Sequence, residues 1–124
     1  MGQHITLVVT GSIAAVKTFD LVQQLQAREA EVSLVLTRAA QQWVTPDAAK
    51  LVADGKVMTT DDIAEDISKL EKLLRQSDRI CVAPASADFM RQLVVQDTPL
   101  SQAMHESDKE IKVAPAMNVM MWQH

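Results

Sequence analysis

Four short apolar segments punctuate the chain, and each is nearly continuous in Val, Ile and Leu instead of alternating with polar residues. Continuous segments of this kind are typical of strands covered on both faces, as in a parallel sheet. They span residues 5–10, 32–37, 79–83 and 111–114. The pattern therefore predicts four parallel strands at the centre of the fold.

Helical spacing fills the stretches between these strands. Residues 14–28 carry apolar side chains three or four positions apart, which predicts an amphipathic helix. A short helix is predicted over residues 46–54, with Pro46 at its first position and Gly55 at its end. A longer helix is predicted over residues 59–76, capped by Thr60. Weaker helical segments cover residues 86–95 and 99–106.

Alternation of strands and helices indicates an α/β fold. We predict a three-layer αβα, Rossmann-like (flavodoxin-like) parallel sheet in a single domain over residues 1–124. In such sheets ligands bind at the carboxyl ends of the strands. Four segments follow the predicted strands and should meet there: "TGSIAA", "LTRAA", "APASADF" and "APAMNVMMW".

Composition narrows the cellular compartment and the class of partner that we expect. The formal net charge of −4 argues against nucleic acid as a main partner. The chain has one cysteine, Cys81, so no internal disulfide forms and a reducing compartment is expected. No apolar stretch is long enough to cross a bilayer, and the first residues lack a basic leader. A cytoplasmic protein without a membrane segment is therefore expected.

Three of the loops carry residues suited to a phosphate or a flat ring. Gly11 and Ser12 directly precede a helix, whose free N–H groups could bind phosphate; a helix cap without a ligand explains them equally well. Thr37 places a hydroxyl group after the second strand. The small residues Ala85, Ser86 and Ala87 would allow a ring to approach the backbone, although Ser86 also suits a helix cap.

The loop after the last strand combines an amide with thioethers and an indole. Met and Trp side chains often fill cores, so Met117 alone indicates little. Asn118 indicates more, because a buried amide needs hydrogen-bonding partners. A substrate carboxylate or a flavin ring could supply them.

Together these loops resemble those of the homo-oligomeric flavin-containing cysteine decarboxylases, a family that includes phosphopantothenoylcysteine decarboxylase. Residues 11–17 read "GSIAAVK", against the family's G-[SG]-I-A-A-x-K. Residues 84–89 read "PASADF", against P-A-S-A-N-T. Residues 115–122 read "PAMNVMMW" and match P-x-M-N-x-x-M-W completely. The resemblance runs from Ile5 to Trp122.

The resemblance implies an FMN-binding flavoprotein that assembles as a homotrimer or a higher homo-oligomer, with FMN between subunits and no metal. It implies a small cysteinyl substrate, oxidised and decarboxylated in coenzyme A biosynthesis. Carried over by motif, Asn118 contacts the substrate carboxylate. The residues implied to bind FMN are Gly11, Ser12, Ile13, Thr37, Ala85, Ser86, Ala87 and Met117.

Three features depart from the family pattern. Aligning Asp78 and Pro84 without a gap places the family's catalytic histidine at Leu70. Asp88 and Phe89 replace Asn-Thr. Family members continue past the matched tryptophan, so a fold truncated at its carboxyl end is expected. The alternative interpretation is a non-catalytic FMN-binding or regulatory subunit of a flavoprotein trimer. Flavin prenyltransferases rank lower, because they lack the P-x-M-N-x-x-M-W loop.

Overall fold

The computed structural model describes residues 2–115, and within that range five strands form one parallel sheet. Their spatial order is β3-β2-β1-β4-β5, which places β1 at the centre. The predicted parallel sheet is confirmed. The strands are β1 (His4–Val9), β2 (Glu31–Leu36), β3 (Val57–Thr59), β4 (Arg79–Ala85) and β5 (Ile111–Pro115).

Helices connect successive strands along the described residues. The α-helices are α1 (Thr18–Ala27), α2 (Pro46–Val52), α3 (Thr60–Glu65), α4 (Ile67–Gln76), α5 (Ala87–Val95) and α6 (Pro99–Glu106). Two 3-10 helices, Ile13–Lys17 and Ala39–Gln42, follow β1 and β2. None of the helices found in residues 2–115 has the length and apolar character needed to span a bilayer.

The two faces of the sheet support separate apolar clusters. Leu7 and Val9 on β1 belong to a cluster that includes residues of α1 and α2. Val8, between them, belongs to a second cluster with residues of α3, α4, α5 and α6. Successive residues point to opposite faces because a strand has a two-residue period, and both faces of β1 are buried. The αβα layering predicted from the sequence is thus confirmed.

The strand β3 has no counterpart among the predicted strands. It contains three half-buried residues, too few to form an apolar segment, and pairs with β2 at Leu34↔Val57. Gly55 does not end a helix as predicted, because α2 stops at Val52. Its N–H instead donates to the Val32 carbonyl on β2 at 2.9 Å. A Cβ at Gly55 would lie 2.2 Å from the Ser33 Oγ.

The single helix predicted over residues 59–76 is wrong, because the helix is interrupted at Asp66 and forms α3 and α4 instead. Asp66 adopts extended backbone angles, and its carboxylate accepts a hydrogen bond from the Ser68 N–H at 3.0 Å, which caps α4. The cap of α3 is Thr59, not the predicted Thr60. Thr59 Oγ1 accepts from the Asp62 N–H, and the Asp62 carboxylate accepts from the Thr59 N–H.

Two further boundaries differ from the prediction. The first turn of the predicted helix over residues 14–28 is the 3-10 helix Ile13–Lys17, and α1 begins at Thr18. β4 does not stop before Pro84 but continues to Ala85, with its pairing to β5 shifted between Val82 and Ala85. The continuation matters because it carries β4 to the edge of the sheet where β1 ends.

Candidate functional site

A cavity of about 490 Å³ opens at the carboxyl ends of β1, β2 and β4. This volume lies within the range typical of small-molecule sites. The cavity lies where the strand order reverses beside β1, the position at which open α/β sheets bind ligands. Its described lining comprises Thr10, Gly11, Thr37, Arg38, Ala39, Thr60, Ile63, Ala64, Ser86, Asp88, Phe89, Gln92, Thr98, Pro99 and Leu100.

Thr10 joins the ends of β1 and β4 at the floor of this cavity. Its hydroxyl group donates to the Pro84 carbonyl at 2.6 Å and accepts from the Ser86 N–H at 2.7 Å. Thr10 is buried, so its bond to the Pro84 carbonyl is shielded from water, and its bond to the Ser86 N–H is partly shielded. Thr10 was not predictable from the sequence, because a threonine at the end of an apolar strand carries no motif of its own.

Gly11 brings the end of β1 against the end of β2. A Cβ added at Gly11 would lie 2.3 Å from the Ala39 Cβ, which real side chains do not allow. No positive φ is recorded at any described glycine, so close packing and not turn geometry requires glycine here. The Thr37 N–H adds a backbone bond of 3.1 Å to the Val9 carbonyl.

The hydroxyl groups predicted to face a ligand also cap helices. Ser12 Oγ accepts from the Ala14 N–H at 3.2 Å, and Thr37 Oγ1 accepts from the Ala40 N–H at the same distance. Ser86 Oγ accepts from the Phe89 N–H at 3.1 Å at the start of α5. Capping orients these residues at the strand ends, and Thr37 and Ser86 line the cavity as well.

The structure brings three of the predicted cofactor-binding residues together at the cavity: Gly11, Thr37 and Ser86. Ser12 is half-buried beside it, whereas the Ile13 side chain is 69% exposed. Ala85 is buried in β4, and Ala87 is exposed at the start of α5. The predictions for Met117 and Asn118 fall outside the described residues.

Apolar side chains form the wall of the cavity opposite the strand ends. Ile63 on α3, Phe89 on α5 and Leu100 on α6 each have at most 4% of their surface exposed. All three belong to the cluster on the same face of the sheet. The cavity therefore combines a floor of strand ends with an apolar wall suited to a flat ring.

The Asp88 carboxylate, which replaces the family's asparagine, is held by its own helix. It accepts from Gln92 Nε2 at 2.9 Å, and it lies 3.4 Å from the Arg91 guanidinium. Arg91 also donates to Asp97 at 3.0 Å, and this bond is the main reason that the pKa of Arg91 is raised. Asp88 therefore shares one permanent cation with Asp97.

Leu70, at the position aligned with the family histidine, is completely buried. It belongs to the apolar cluster that includes Val8, Val35 and Ile80, and it is absent from the described cavity lining. The ring of His4 bonds to Ser33 and to the Gln76 carbonyl at the amino end of β1, and His105 is exposed on α6. Neither of these two histidines lines the cavity.

Cys81 lies inside the sheet and not at its functional edge. The side chain is buried, and burial raises the pKa of its thiol to about 11. A thiol in this state is a poor nucleophile, because the thiolate is the reactive form. Within residues 2–115, no group of three or more His, Cys, Asp or Glu side chains is placed to hold a metal ion.

Comparison with known proteins places this arrangement in a family. The model of the family described as Flavoprotein matches residues 1–124. The chain belongs to the flavoprotein family. Within it, the chain is 38% identical over 125 residues to the coenzyme A biosynthesis bifunctional protein CoaBC of Haemophilus influenzae. That alignment covers 98% of the chain and 31% of CoaBC, so the chain spans about a third of this relative's length.

Solved structures share the flavoprotein fold. The FMN-dependent cysteine decarboxylase TvaF from thioviridamide biosynthesis superposes with a TM-score of 0.83 at 24% identity, covering 96% of this chain and 76% of TvaF. A mutant of PPC decarboxylase complexed with pantothenoylaminoethenethiol superposes with a TM-score of 0.74 at 27% identity, covering 100% and 72% of the two chains. Family membership supports a flavin cofactor for this chain.

Proposed function

We propose that this chain binds FMN in the strand-end cavity and belongs to the phosphopantothenoylcysteine decarboxylase type of flavoprotein. The substrate we propose is a small cysteinyl compound of coenzyme A biosynthesis. The observation that carries the proposal is the cavity itself, which joins residues of the "GSIAAVK", "LTRAA" and "PASADF" segments in one place. Similarity to CoaBC and to the PPC decarboxylase structure supports the same proposal.

The residues present fit a phosphorylated flavin. The buried Ile63, Phe89 and Leu100 offer an apolar surface for a ring, while the Gly11–Ala39 contact leaves the neighbouring strand ends without bulky side chains. We propose that Gly11, Thr37 and Ser86 contact FMN, with Ser12, Ile13, Ala85, Ala87 and Met117 as the further motif residues. FMN would supply the redox chemistry of the oxidation step.

The chain's own residues would bind the cofactor, position it and exclude water. Thr10 fixes the distance between the β1 and β4 ends, and so fixes the floor on which the ligand rests. The apolar wall keeps water from one side of the cavity, which strengthens polar contacts made inside it. We propose that Asn118 binds the substrate carboxylate.

Filling the cavity tests the proposal directly. Ala64 lines the cavity from the exposed side of α3, so Ala64→Trp should occupy the space without disturbing the core. Wild-type protein mixed with FMN should remain yellow through gel filtration, and Ala64→Trp should bind FMN at least about 10-fold more weakly. The matched control is Glu65→Trp, an exposed position on the same helix that does not line this cavity. Colourless wild-type protein would refute the proposal.

The second candidate is a non-catalytic FMN-binding or regulatory subunit. Leu70 favours it, because the aligned position is buried in the core and the described cavity lining contains no histidine. A general base for this chemistry near neutral pH is most often a histidine. Carbon dioxide release from phosphopantothenoylcysteine by the FMN-loaded chain would favour the decarboxylase. Tight FMN binding without release would favour the subunit.

We further propose that the chain forms a homotrimer or a higher homo-oligomer in the cytoplasm. Ile13 and Val16, on the 3-10 helix that follows β1, are 69% and 51% exposed, and an apolar surface beside a ligand site suits a subunit contact. Light scattering on the FMN-loaded protein should give a mass above 13.7 kDa, the mass of one chain. A monomer that holds FMN would contradict this assembly.

A further inference from the structure

Arg38 is the one cation among the described residues that line the cavity. It directly follows Thr37, whose backbone N–H bonds to β1 and whose hydroxyl group caps the 3-10 helix Ala39–Gln42. These contacts fix the backbone on both sides of Arg38 at the end of β2. The side chain itself is 85% exposed, so it lies at the rim of the cavity and not in its floor.

The contact that Arg38 makes in the structure is a weak one. Its guanidinium lies 3.6 Å from the Asp61 carboxylate on α3, and the Asp61 side chain is 67% exposed. Exposed ion pairs of this kind contribute little to stability. A phosphate group can instead accept two parallel hydrogen bonds from a guanidinium, which is a stronger and more directional contact. Arg38 can therefore exchange Asp61 for a phosphate at small cost.

The other described charges beside the cavity are engaged with one another, which leaves Arg38 as the cation available to an anion. Asp88, the one carboxylate among the described lining residues, contacts Arg91 and accepts a hydrogen bond from Gln92. Arg91 is itself divided between Asp88 and Asp97. Arg38, by contrast, makes a single ion pair within residues 2–115, the long contact to Asp61.

We propose that Arg38 binds a phosphomonoester at the rim of the cavity, and that Asp61 occupies its guanidinium until the ligand arrives. This inference rests on the proposed function, which brings a phosphate either on the cofactor or on the cysteinyl substrate. Arg38 would then discriminate phosphorylated ligands from their unphosphorylated forms. Asp61 would weaken that binding by competing for the same cation.

Riboflavin and FMN form a matched pair for the cofactor, because they differ only in the phosphate. Titration of the full chain should show that Arg38→Gln weakens FMN binding by about 10-fold and leaves riboflavin binding unchanged. Arg38→Lys should retain part of the preference. Asp61→Asn should tighten FMN binding by a few fold. Arg75→Gln removes an exposed cation from α4, away from the cavity, and should change neither affinity.

The same variants distinguish the two sources of phosphate. If the phosphate is the substrate's, Arg38→Gln leaves both flavin affinities unchanged and selectively weakens binding of phosphopantothenoylcysteine relative to pantothenoylcysteine on the FMN-loaded chain. If Arg38→Gln changes neither the preference for FMN over riboflavin nor that for phosphopantothenoylcysteine over pantothenoylcysteine, the role of Arg38 is overturned and the proposed function stands. Failure of the wild-type chain to bind either flavin would refute the proposed function, and the inference with it.

Discussion

Thr10 uses one hydroxyl group to hold two strand ends. It donates a hydrogen bond to the Pro84 carbonyl and accepts one from the Ser86 N–H, so its loss affects two backbone groups at once. Leaving a buried polar group without a partner costs more than an average hydrogen bond contributes. Thr10 should therefore influence both stability and the shape of the cavity floor.

Replacing Thr10 with Val, which has almost the same shape, isolates this effect. We expect Thr10→Val to lower the free energy of unfolding by about 1–3 kcal/mol, because the Ser86 N–H loses its partner and the Pro84 carbonyl keeps only the 3.3 Å bond from the Thr10 N–H. Thr10→Ser keeps the hydroxyl group and serves as the control. Urea denaturation measures both variants, and equal stabilities for Val and Ser would contradict the role assigned to the hydroxyl group.

Gly11 and Ala39 allow a test of close packing between two strand ends. Gly11→Ala should lower the free energy of unfolding by about 1–3 kcal/mol, because the new Cβ collides with the Ala39 Cβ. Adding Ala39→Gly removes that collision, so the double variant should recover stability relative to the sum of the two single changes. A double-mutant cycle measured by urea denaturation supplies the coupling. Strictly additive effects would show that the two residues do not touch.

Some residues at the site were predictable from the sequence and others were not. Gly11, Thr37 and Ser86 follow predicted strands, and parallel strands end at one edge of the sheet, so their meeting at the cavity follows from the pattern alone. Thr10 could not be identified this way, because its partners are 74 and 76 residues away in the chain. Arg38 likewise has no motif to mark it, and its importance depends on which other charges are compensated.

At the scale of single elements, α4 places Leu70, the residue aligned with the family histidine, in the core and not at the cavity. The helix begins at Ile67 under the Asp66 cap and turns Leu70, Leu73 and Leu74 into the apolar cluster. Hydrogen bonds from Ser68 lower the pKa of the capping Asp66 carboxyl, which favours the ionised form that caps α4. Position 70 is therefore fixed as a core position in this fold.

We expect a histidine at position 70 to destabilise the fold instead of restoring a base. Leu70→His would bury a polar ring among apolar side chains, and the free energy of unfolding should fall by about 2–4 kcal/mol. Leu70→Met, close to leucine in volume, should cost less than about 1.5 kcal/mol. Thermal unfolding compares the two variants. A Leu70→His protein as stable as Leu70→Met would indicate that position 70 reaches water.

The elements that sequence analysis missed share a physical cause. β3 has three half-buried residues, and its pairing with β2 depends on the close approach of Gly55, which no local pattern reveals. The helix predicted over residues 59–76 has continuous helical spacing, yet Asp66 caps α4 more effectively than it continues α3. Whether a capping residue in the middle of such a segment begins a new helix depends on the tertiary packing on either side of it.

At the scale of the whole molecule, Cys81 reports on the burial of the sheet. Its thiol has a pKa of about 11 in the folded chain, against an ordinary value of 9.0. The folded state therefore holds this proton more tightly than the unfolded state, and the resulting stability is complete below about pH 9. It is lost as the pH rises toward 11.

We expect the free energy of unfolding to decrease between pH 9 and pH 11 by up to about 2 kcal/mol through Cys81 alone. Cys81→Ala removes this contribution and leaves every other ionisable group in place. The difference between the two pH profiles, measured by urea denaturation, isolates the thiol. Parallel profiles would show that Cys81 is solvated in the folded state.

The reversal of strand order beside β1 has a consequence for redesign. After β1 the chain passes to the face of the sheet that α1 covers, and after β4 it passes to the opposite face, which α5 covers. The two connections therefore diverge at the centre of the sheet. Chain connectivity thus sets where the cavity opens, and the lining side chains set its shape. Ligand preference could be re-engineered through the lining side chains that lie outside the strands, Arg38 among them, leaving the strands that carry the fold untouched.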